Sequence, residues 1–523
     1  MSAGPVPHLL VRGARLVEID PPTTGPKGAV GDPVDLRLRA GRVVERGAGL
    51  AADGAEVLDA TGTWAIPGLW DQHVHMSQWA ALRRRLDVAD TDGPEDVLAR
   101  VRRHLDLTAD DADEGGTLLE GFGWRLGGWS RLPSTAELDA VCGDRPVALI
   151  SGDCHGGWLS SAAYRALGEE PRPGHVDEDE WFALWRRFEH LPQSPRVRAG
   201  LEQVMDAAAA LGVVGITDLE QATGLWRTWP ERVVGGLDRL RVRPATYPDG
   251  LDLALADGVR TGDVLDRDPG ASGGLVTMGP LKVISDGSLN TRTAWCCDPF
   301  VTDDVIPEPR GKRNVPPAEL ADLLRRAGAG GLQAAVHAIG DAALDDALTA
   351  FEESGARGTI EHAQLVRLAD LPRMARLGVA ASVQPAHLLD DRDTSEALWP
   401  DRGDRCFALA AMRDAGVELR LGSDAPVAPL DPWEAMAAAV HRSADERAPW
   451  VPAQAITPRQ ALAASTDGQR LAVGDRGDLA LLAEDPFADV DTLDAGGTAD
   501  AAARLRAAPV LATLLAGRLT HTS

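Results

Sequence analysis

Eight short apolar runs recur through the middle of the chain, and helical patterns lie between several of them. The runs are WAIPGLWDQHVH, VVGITDLE, RLRVRPATYP, LKVISDG, LQAAVHAIG, GTIEHAQL, GVAASVQP and VELRLGSDAP. Runs of this length are typical of parallel strands that are buried on both faces. Because eight such strands alternating with helices form a closed parallel barrel, the pattern predicts an α/β fold with a (β/α)8 TIM barrel over residues 67–469.

Two parts of the chain lie outside this repeating pattern. Residues 77–210 are too long for one connection and contain helical patterns of their own, EDVLARVRRHLDL and EDEWFALWRRFEHL. We interpret them as an insertion after strand 1 that covers the barrel mouth as a lid. Residues 1–66 and 470–523 have strand-like segments with turn glycines, which predict one small β-sandwich domain built from both chain ends.

Charge and composition restrict the partners of the chain. The net charge is −26, from 53 basic and 79 acidic residues. Because such a surface repels phosphate backbones and anionic membranes, we expect neither nucleic acid nor a membrane as a partner, but a small-molecule substrate. The segment MSAGPVPHLLVRGARL lacks the pattern of a signal peptide, which predicts a cytoplasmic location. The sequence does not define the oligomeric state, and a homodimer is a candidate because barrel enzymes of this size often dimerise.

Ionisable side chains lie in or at the end of five of the eight runs. They are His73, His75, Lys282, His337, His362 and Asp424. In a parallel barrel the carboxyl ends of the strands meet on one face, where catalytic residues gather. The two histidines of the H-x-H pair point the same way, because side chains alternate along a strand with a period of two. Imidazole and carboxylate ligands predict one or two divalent ions, with zinc the best match and manganese, iron or nickel less so.

Each of these residues also has an ordinary structural explanation. A histidine on an apolar strand is more often a core residue than a ligand, Lys282 could pair with Asp286, and Asp424 could form a turn or cap a helix. Five strands carrying such residues at the same end favour the metal site. A buried lysine loses its charge more easily, so Lys282 could take up CO₂ and bridge two metals as a carbamate. Asp71 is interpreted as a supporting or turn residue.

Several segments resemble motifs of the amidohydrolase superfamily. They are PGLWDQHVHM, LKVISDGSLNTRTA, VHAIGDAALDDAL, TIEHAQLV, ASVQPAHL and GSDAPVAPLDP. The similarity is to the YtcJ-like, amidohydrolase-3 branch, which includes N-substituted formamide deformylases, and GFGWRLGGW and SGDCHGGWLSSAAYRALG resemble the inserted segment of that branch. It extends over about residues 8–520. The resemblance implies a distorted barrel in which the six residues named above hold the metal, with Lys282 as a carboxylated bridge.

The resemblance does not define a substrate. The segment TAWCCDPF departs from the pattern of the relatives, as do Gly157 and Ser160 in DCHGGWLSS. Candidate substrate contacts are Trp124, His155, Trp158, Arg292, Gln384 and His387. Several tryptophans near the motif segments predict an apolar or aromatic substrate.

The expected activity is hydrolysis of a non-peptide carbon–nitrogen bond in an amide, formamide or cyclic amide. A metal-activated hydroxide would attack the carbonyl, and Asp424 would take the proton of the water and pass it to the leaving nitrogen. His337 and His362 are the other candidate catalytic residues. Two alternatives are a different reaction at the same site, such as hydrolytic deamination, and a non-catalytic protein of the same fold. The complete ligand set disfavours the non-catalytic alternative.

Overall fold

The computed structural model describes residues 8–17, 19, 31–82, 86–107, 118–126, 129–188, 195–266, 273–302, 307–488 and 495–523. The chain divides into two compact units. One unit comprises the chain up to His75 together with Val204–Ser523, and the other is Met76–Gln203. The second unit overlaps most of the insertion predicted at 77–210.

The strands and helices follow one another in this order. The first unit opens with β1 (His8–Leu16), β2 (Pro33–Arg39), β3 (Arg42–Gly47), β4 (Glu56–Asp59), β5 (Trp64–Pro67) and β6 (Leu69–Val74). The second unit contains α1 (Met76–Leu82), β7 (Leu86–Asp87), α2 (Pro94–Leu107), β8 (Leu119–Trp124), α3 (Thr135–Cys142), β9 (Val147–Ser151), β10 (Gly156–Leu159), α4 (Ser161–Ala166), β11 (Val176–Asp177), α5 (Glu178–Phe188) and the first part of α6 (Pro195–Ala210).

The chain then continues in the first unit. Its elements there are β12 (Val213–Asp218), α7 (Leu225–Val234), β13 (Arg241–Pro244), α8 (Pro248–Asp257), β14 (Leu281–Ile284), α9 (Pro317–Ala329), β15 (Ala334–Ala338), α10 (Asp341–Ser354), β16 (Gly358–His362), α11 (Leu371–Leu377), β17 (Ala380–Val383), α12 (His387–Leu398), α13 (Leu409–Asp414), β18 (Leu419–Leu421), α14 (Pro432–His441), α15 (Pro458–Ala464), β19 (Leu479–Leu482), α16 (Ala495–Arg506), β20 (Val510–Leu515) and β21 (Arg518–Thr522). Short 3₁₀ turns lie at Leu368–Asp370, Gly403–Arg405 and Pro452–Gln454.

Two parallel sheets form the centre of the first unit. Their strand orders are β13-β12-β6 and β14-β15-β16-β17-β18. Isolated parallel bridges pair Thr246 with Leu281 and Val74 with Ala425, and so join the two sheets at both pairs of edges. Every residue of β6, β12 and β17 is buried, as expected for strands that are covered on both faces. Each of the eight apolar runs therefore contains a parallel strand.

The first apolar run is divided between two sheets. Its first half is β5, which pairs antiparallel with β19, and its second half is β6, which pairs with β12. Pro67 ends β5, and Gly68 lies against the next strand, where a Cβ at Gly68 would come within 2.4 Å of the methyl groups of Val214. A side chain at position 68 would therefore prevent the approach that brings β6 alongside β12.

The two chain ends share one eight-stranded sheet. Its order is β21-β20-β19-β5-β1-β2-β3, and β4 pairs with β1. One core contains apolar residues from both ends, among them Leu36 and Leu38 near the start and Leu479 and Leu514 near the end. The pairing of the two ends is thus present in the structure, and the packing of this sheet as a β-sandwich stays a prediction.

The second unit has its own sheet and its own core. The strand order is β11-β10-β9-β8-β7, and Trp124, Leu149 and Trp158 belong to the core on one side of it. Helices α2 and α5 correspond to the two helical patterns recognised in the sequence, whereas this sheet was not predicted. Within the described part of the chain, no helix combines the length and apolar character needed to cross a membrane.

Candidate metal centre

Five of the six predicted ligands lie at or near the carboxyl ends of parallel strands, and Lys282 is the second residue of β14. His73 belongs to β6 and His75 follows it. Lys282, His337 and His362 belong to β14, β15 and β16, and Asp424 lies three residues after β18. The structure brings all six side chains together, because the strands that carry them are parallel and the two sheets are joined at both edges.

Three of these residues form a compact group. Ligand atoms of His73, His362 and Asp424 lie within 4.8 Å of one another, and all three residues are buried. The ring centroids of the two histidines are 5.0 Å apart. A group of two imidazoles and one carboxylate at this separation can hold a divalent cation.

The other three predicted ligands adjoin this group. His75 Nε2 lies 3.1 Å from Asp424 Oδ1. The Nζ atom of Lys282, which is only 2 % exposed, lies 3.4 Å from His73 Nε2. The ring of His337 is centred 4.5 Å from that of His362.

His337 is directed toward the loop after β14. Its Nε2 atom lies 3.2 Å from the carbonyl oxygen of Gly287 and 3.3 Å from Asp286 Oδ1. The Asp286 carboxylate in turn accepts backbone N–H groups of Ile339 and Gly340. Asp286 therefore holds the loop after β15 beside His337. These contacts of Asp286 do not involve Lys282, which was the alternative partner considered from the sequence.

Glu361 orients His73 and was missed in the sequence. The two side chains are buried, and the distance between His73 Nδ1 and Glu361 Oε2 is 2.8 Å. A carboxylate on Nδ1 fixes the imidazole so that Nε2 faces Asp424, at 3.3 Å. The signal was an acidic residue directly before His362 in one of the eight strand runs.

Asp71 connects β6 to the loop that carries Asp424. Its Oδ1 atom accepts the backbone N–H groups of His73 and Ser423, both at 3.0 Å. The N–H group of Asp424 donates to the carbonyl oxygen of His73 at 2.7 Å. A Cβ on Gly422 would lie 2.8 Å from the backbone nitrogen of His73, so this approach requires glycine. Asp71 acts as a supporting residue, in agreement with the interpretation from the sequence.

The protonation states of the group suit a cation. Burial raises the pKa of the Asp424 carboxyl, but His73, His75 and His362 outweigh burial and hold that pKa well below its usual range. Burial and the Lys282 ammonium lower the pKa of His73 to about 4. Burial also holds the pKa of His362 well below its usual range. An ionised carboxylate beside neutral imidazoles is the state in which these side chains bind metals.

Unpaired atoms support the same assignment. Among the described residues, His75 Nδ1 and His362 Nδ1 are buried and have no hydrogen-bond partner, and Asp424 Oδ1 has the imidazole nitrogens of His75 and His73 at 3.1 and 3.3 Å. Leaving a buried polar atom unpaired costs about 1–3 kcal/mol, so such atoms are uncommon in a folded chain. A bound cation would satisfy a carboxylate oxygen and imidazole nitrogens of this kind, and the residues present therefore fit a divalent metal ion.

The candidate substrate contacts of the first unit differ in their distance from this group. His387 Nε2 lies 3.9 Å from Asp424 Oδ2. Gln384 is buried, and its Nε2 atom lies 3.4 Å from His73 Nδ1. Arg292 lies in the loop after β14 and donates from Nη1 to Thr302 Oγ1 at 3.4 Å. The first two adjoin the group of ligands, whereas Arg292 contacts Thr302 within its own loop.

The remaining candidates belong to the second unit. Trp124 and Trp158 are buried in its core, and their indole N–H groups donate to backbone carbonyl oxygens. His155 Nδ1 lies 3.3 Å from Glu178 Oε2. A role of these three residues in substrate binding stays a prediction.

Comparison with known proteins agrees with the sequence motifs. A model of the amidohydrolase family matches residues 56–521. The chain is 25% identical to YtcJ of Bacillus subtilis, over 83% of this chain and 86% of that protein. It is 26% identical to the N-substituted formamide deformylase of Arthrobacter pascens, over 90% and 91% of the two chains.

A solved structure extends the comparison to the fold. The crystal structure of an uncharacterized metal-dependent hydrolase from Pyrococcus horikoshii superposes with a TM-score of 0.77. It covers 92% of this chain and 98% of that one, at 23% sequence identity. The resemblance recognised in the sequence is confirmed, and the chain belongs to the amidohydrolase family.

Proposed function

We propose that the chain is a metal-dependent hydrolase that cleaves a non-peptide carbon–nitrogen bond in an amide, formamide or cyclic amide. The observation that carries this proposal is the buried group of His73, His362 and Asp424, whose ligand atoms lie within 4.8 Å of one another. The similarity to a formamide deformylase over nine-tenths of both chains supports the type of bond. The proposed ion is zinc, because imidazole and carboxylate ligands suit it best.

The side chains around the ion would have separate roles. A divalent cation at this position supplies Lewis acidity, which lowers the pKa of a water molecule and polarises a carbonyl group. Asp424 is ionised and lies between His73 and His75, so it can accept a proton from the attacking water and deliver it to the leaving nitrogen. Glu361 holds the ring of His73 in place during this exchange. His337 and His362 complete the proposed ligand set.

Lys282 is proposed to be modified. Its amine would react with CO₂ to form a carbamate, releasing one proton and creating two oxygen ligands. Its burial and the distance of 3.4 Å from His73 Nε2 support this role, because the new oxygens would lie among the other ligands. We further propose that the eight parallel strands act as one (β/α)8 barrel, which the two isolated bridges between the sheets support.

A substrate screen with metal reconstitution tests the function. Purified protein is stripped with a chelator, reloaded with zinc or manganese, and assayed on N-formyl amines, N-acyl amines, cyclic imides, esters and aminopurines. We expect hydrolysis of an amide-type substrate that depends on the metal, and a fall of roughly 100- to 10,000-fold in kcat for Asp424→Asn. His521→Asn, in the outer strand β21, is the matched control and should retain activity.

Each other outcome of the screen contradicts the proposal in a different way. Turnover confined to aminopurines or esters would indicate a different reaction at the same site. A protein that contains no metal after reloading and hydrolyses none of the substrates would indicate a non-catalytic member of the family.

A further inference from the structure

His387 is a polar side chain that the proposed ligand set does not use. It is the first residue of α12, which begins four residues after the end of β17, and only 11% of its side chain is exposed. Its Nε2 atom is buried and lacks a hydrogen-bond partner among the residues that the structure describes. A buried imidazole nitrogen in this state is uncommon, and it is available to a bound ligand.

The Nε2 atom of His387 lies close to two of the proposed metal ligands, Asp424 and His362. His387 Nε2 lies 3.9 Å from Asp424 Oδ2, which is too long for a direct hydrogen bond. The ring of His387 lies 6.2 Å from that of His362, and the planes of the two rings differ by 24°. The imidazole therefore stands beside Asp424 and a proposed ligand without being bonded to either.

A buried polar cluster fixes the first turn of α12. Asp391 lies one turn after His387, on the same face of the helix. Its carboxylate accepts the side-chain N–H groups of Gln364, at 2.9 Å, and of Asn290, at 3.2 Å. These partners come from the loops after β16 and β14, so three separate segments meet at Asp391. We call Asp391, Gln364 and Asn290 the α12 brace.

The brace and the imidazole are electrostatically linked. Burial raises the pKa of the Asp391 carboxyl, and the nearby His387 is the largest influence that opposes burial. Asp391 and His387 lie one turn apart on α12, so the hydrogen bonds that hold Asp391 also limit the orientation of the turn that carries His387. The rotation of α12 and the direction of His387 Nε2 would thus be set by residues that do not themselves reach the ligands.

We propose that His387 Nε2–H donates a hydrogen bond to the carbonyl oxygen of the scissile amide, and that the α12 brace positions it for this role. This inference rests on the proposed amide hydrolysis. In that reaction a bond forms between the water oxygen and the carbonyl carbon, the carbon–nitrogen bond breaks, and one water proton moves through Asp424 to the leaving nitrogen. Negative charge develops on the carbonyl oxygen meanwhile, so a donor fixed in advance is most effective in the transition state.

Two substitutions at position 387 test the donor role. His387→Ala should lower kcat by roughly 100- to 1,000-fold while KM changes by less than about threefold, because the interaction strengthens in the transition state. His387→Asn retains an N–H donor, so its kcat should be at least about tenfold higher than that of His387→Ala. A phosphonamidate analogue of the best substrate should bind the alanine variant more weakly by a factor similar to the loss in kcat. Metal content should equal that of the wild type in both variants.

The outcomes separate this inference from the function on which it rests. A wild type that hydrolyses no amide contradicts both. An active wild type whose His387→Ala variant keeps its kcat within twofold contradicts the donor role alone. So does loss of the bound metal in that variant, which would make His387 a ligand.

The brace is tested with two neighbouring aspartates. Asp391→Asn has one carbonyl oxygen for two donors, so it should lower kcat by about tenfold at unchanged metal content. Asp390→Asn, at an exposed position on the same helix, is the matched control and should not change kcat. A lower unfolding temperature of Asp391→Asn with an unchanged kcat would indicate a structural role only, and would overturn the positioning role.

Discussion

Glu361 illustrates how a single residue can govern a site without being a ligand. Its carboxylate contacts His73 Nδ1, so the other ring nitrogen of His73, Nε2, faces Asp424. We predict that Glu361→Gln weakens zinc binding by roughly 10- to 100-fold, because the ring of His73 loses its charged partner. Competition with a chromophoric chelator measures the affinity, with Glu353→Gln, at an exposed position of α10, as the control. Equal affinities of the two variants would show that Glu361 does not support metal binding through His73.

Gly422 lies where the loop that carries Asp424 approaches β6 too closely for a side chain. An added Cβ would lie 2.8 Å from the backbone nitrogen of His73 and 2.9 Å from Asp71 Oδ1. We predict that Gly422→Ala separates the Asp424 loop from β6, lowers the unfolding temperature and reduces metal content. Gly403→Ala is the control, because a Cβ there would meet its nearest neighbours at 3.8 Å. A Gly422→Ala protein with wild-type metal content and unfolding temperature would contradict the structural argument.

At the scale of strands and helices, Asp467 connects segments that are distant in the sequence. Its carboxylate accepts Arg243 from β13 at 2.8 and 2.5 Å, Arg476 at 2.9 Å and Gln72 from β6 at 3.1 Å. Burial raises the pKa of Asp467, but Arg243 and Arg476 outweigh burial and hold that pKa at about 2, against an ordinary value of 3.8.

The stability of the chain should therefore depend on pH through Asp467. Because the folded-state pKa is lowered, its contribution of about 2 kcal/mol is present above pH 4 and disappears as the pH falls toward 2. We predict that Asp467→Asn unfolds more readily at pH 7 and loses less stability than the wild type between pH 4 and pH 2. Denaturant titrations at several pH values measure this, with Asp390→Asn as the control. Parallel pH profiles of wild type and Asp467→Asn would contradict the prediction.

Local pattern explains which elements the sequence predicted. Eight apolar runs predicted the parallel strands, since burial on both faces leaves an uninterrupted apolar signal. The insert sheet was missed because strands such as LEGFGW and GGWL contain glycines, which interrupt the apolar pattern of a strand. The ligand candidates followed from their positions in the strand runs. Glu361, Gly422 and Asp286 act through contacts with segments that are distant in the sequence, and such contacts leave no periodic pattern in it.

At the scale of the whole molecule, the last two strands complete the sheet formed by both chain ends. Leu514 of β20 lies in the core that also contains Leu36 and Leu38, and β20 pairs with β19. We predict that removal of residues 508–523 lowers the unfolding temperature by roughly 10 °C or more, because buried apolar surface becomes exposed. Removal of residues 522–523 alone is the control, and circular dichroism follows both transitions. Equal unfolding temperatures would mean that β20 and β21 contribute little to the shared sheet.

His73, His362 and Asp424 are proposed to bind a divalent metal ion. Anomalous diffraction at the zinc absorption edge, from crystals of protein loaded with one or two equivalents of zinc, tests it most directly. We predict a peak roughly 2.0–2.2 Å from a nitrogen of each histidine and an oxygen of Asp424. A fully loaded crystal whose zinc peaks lie elsewhere, or with no peak among these three side chains, would contradict it.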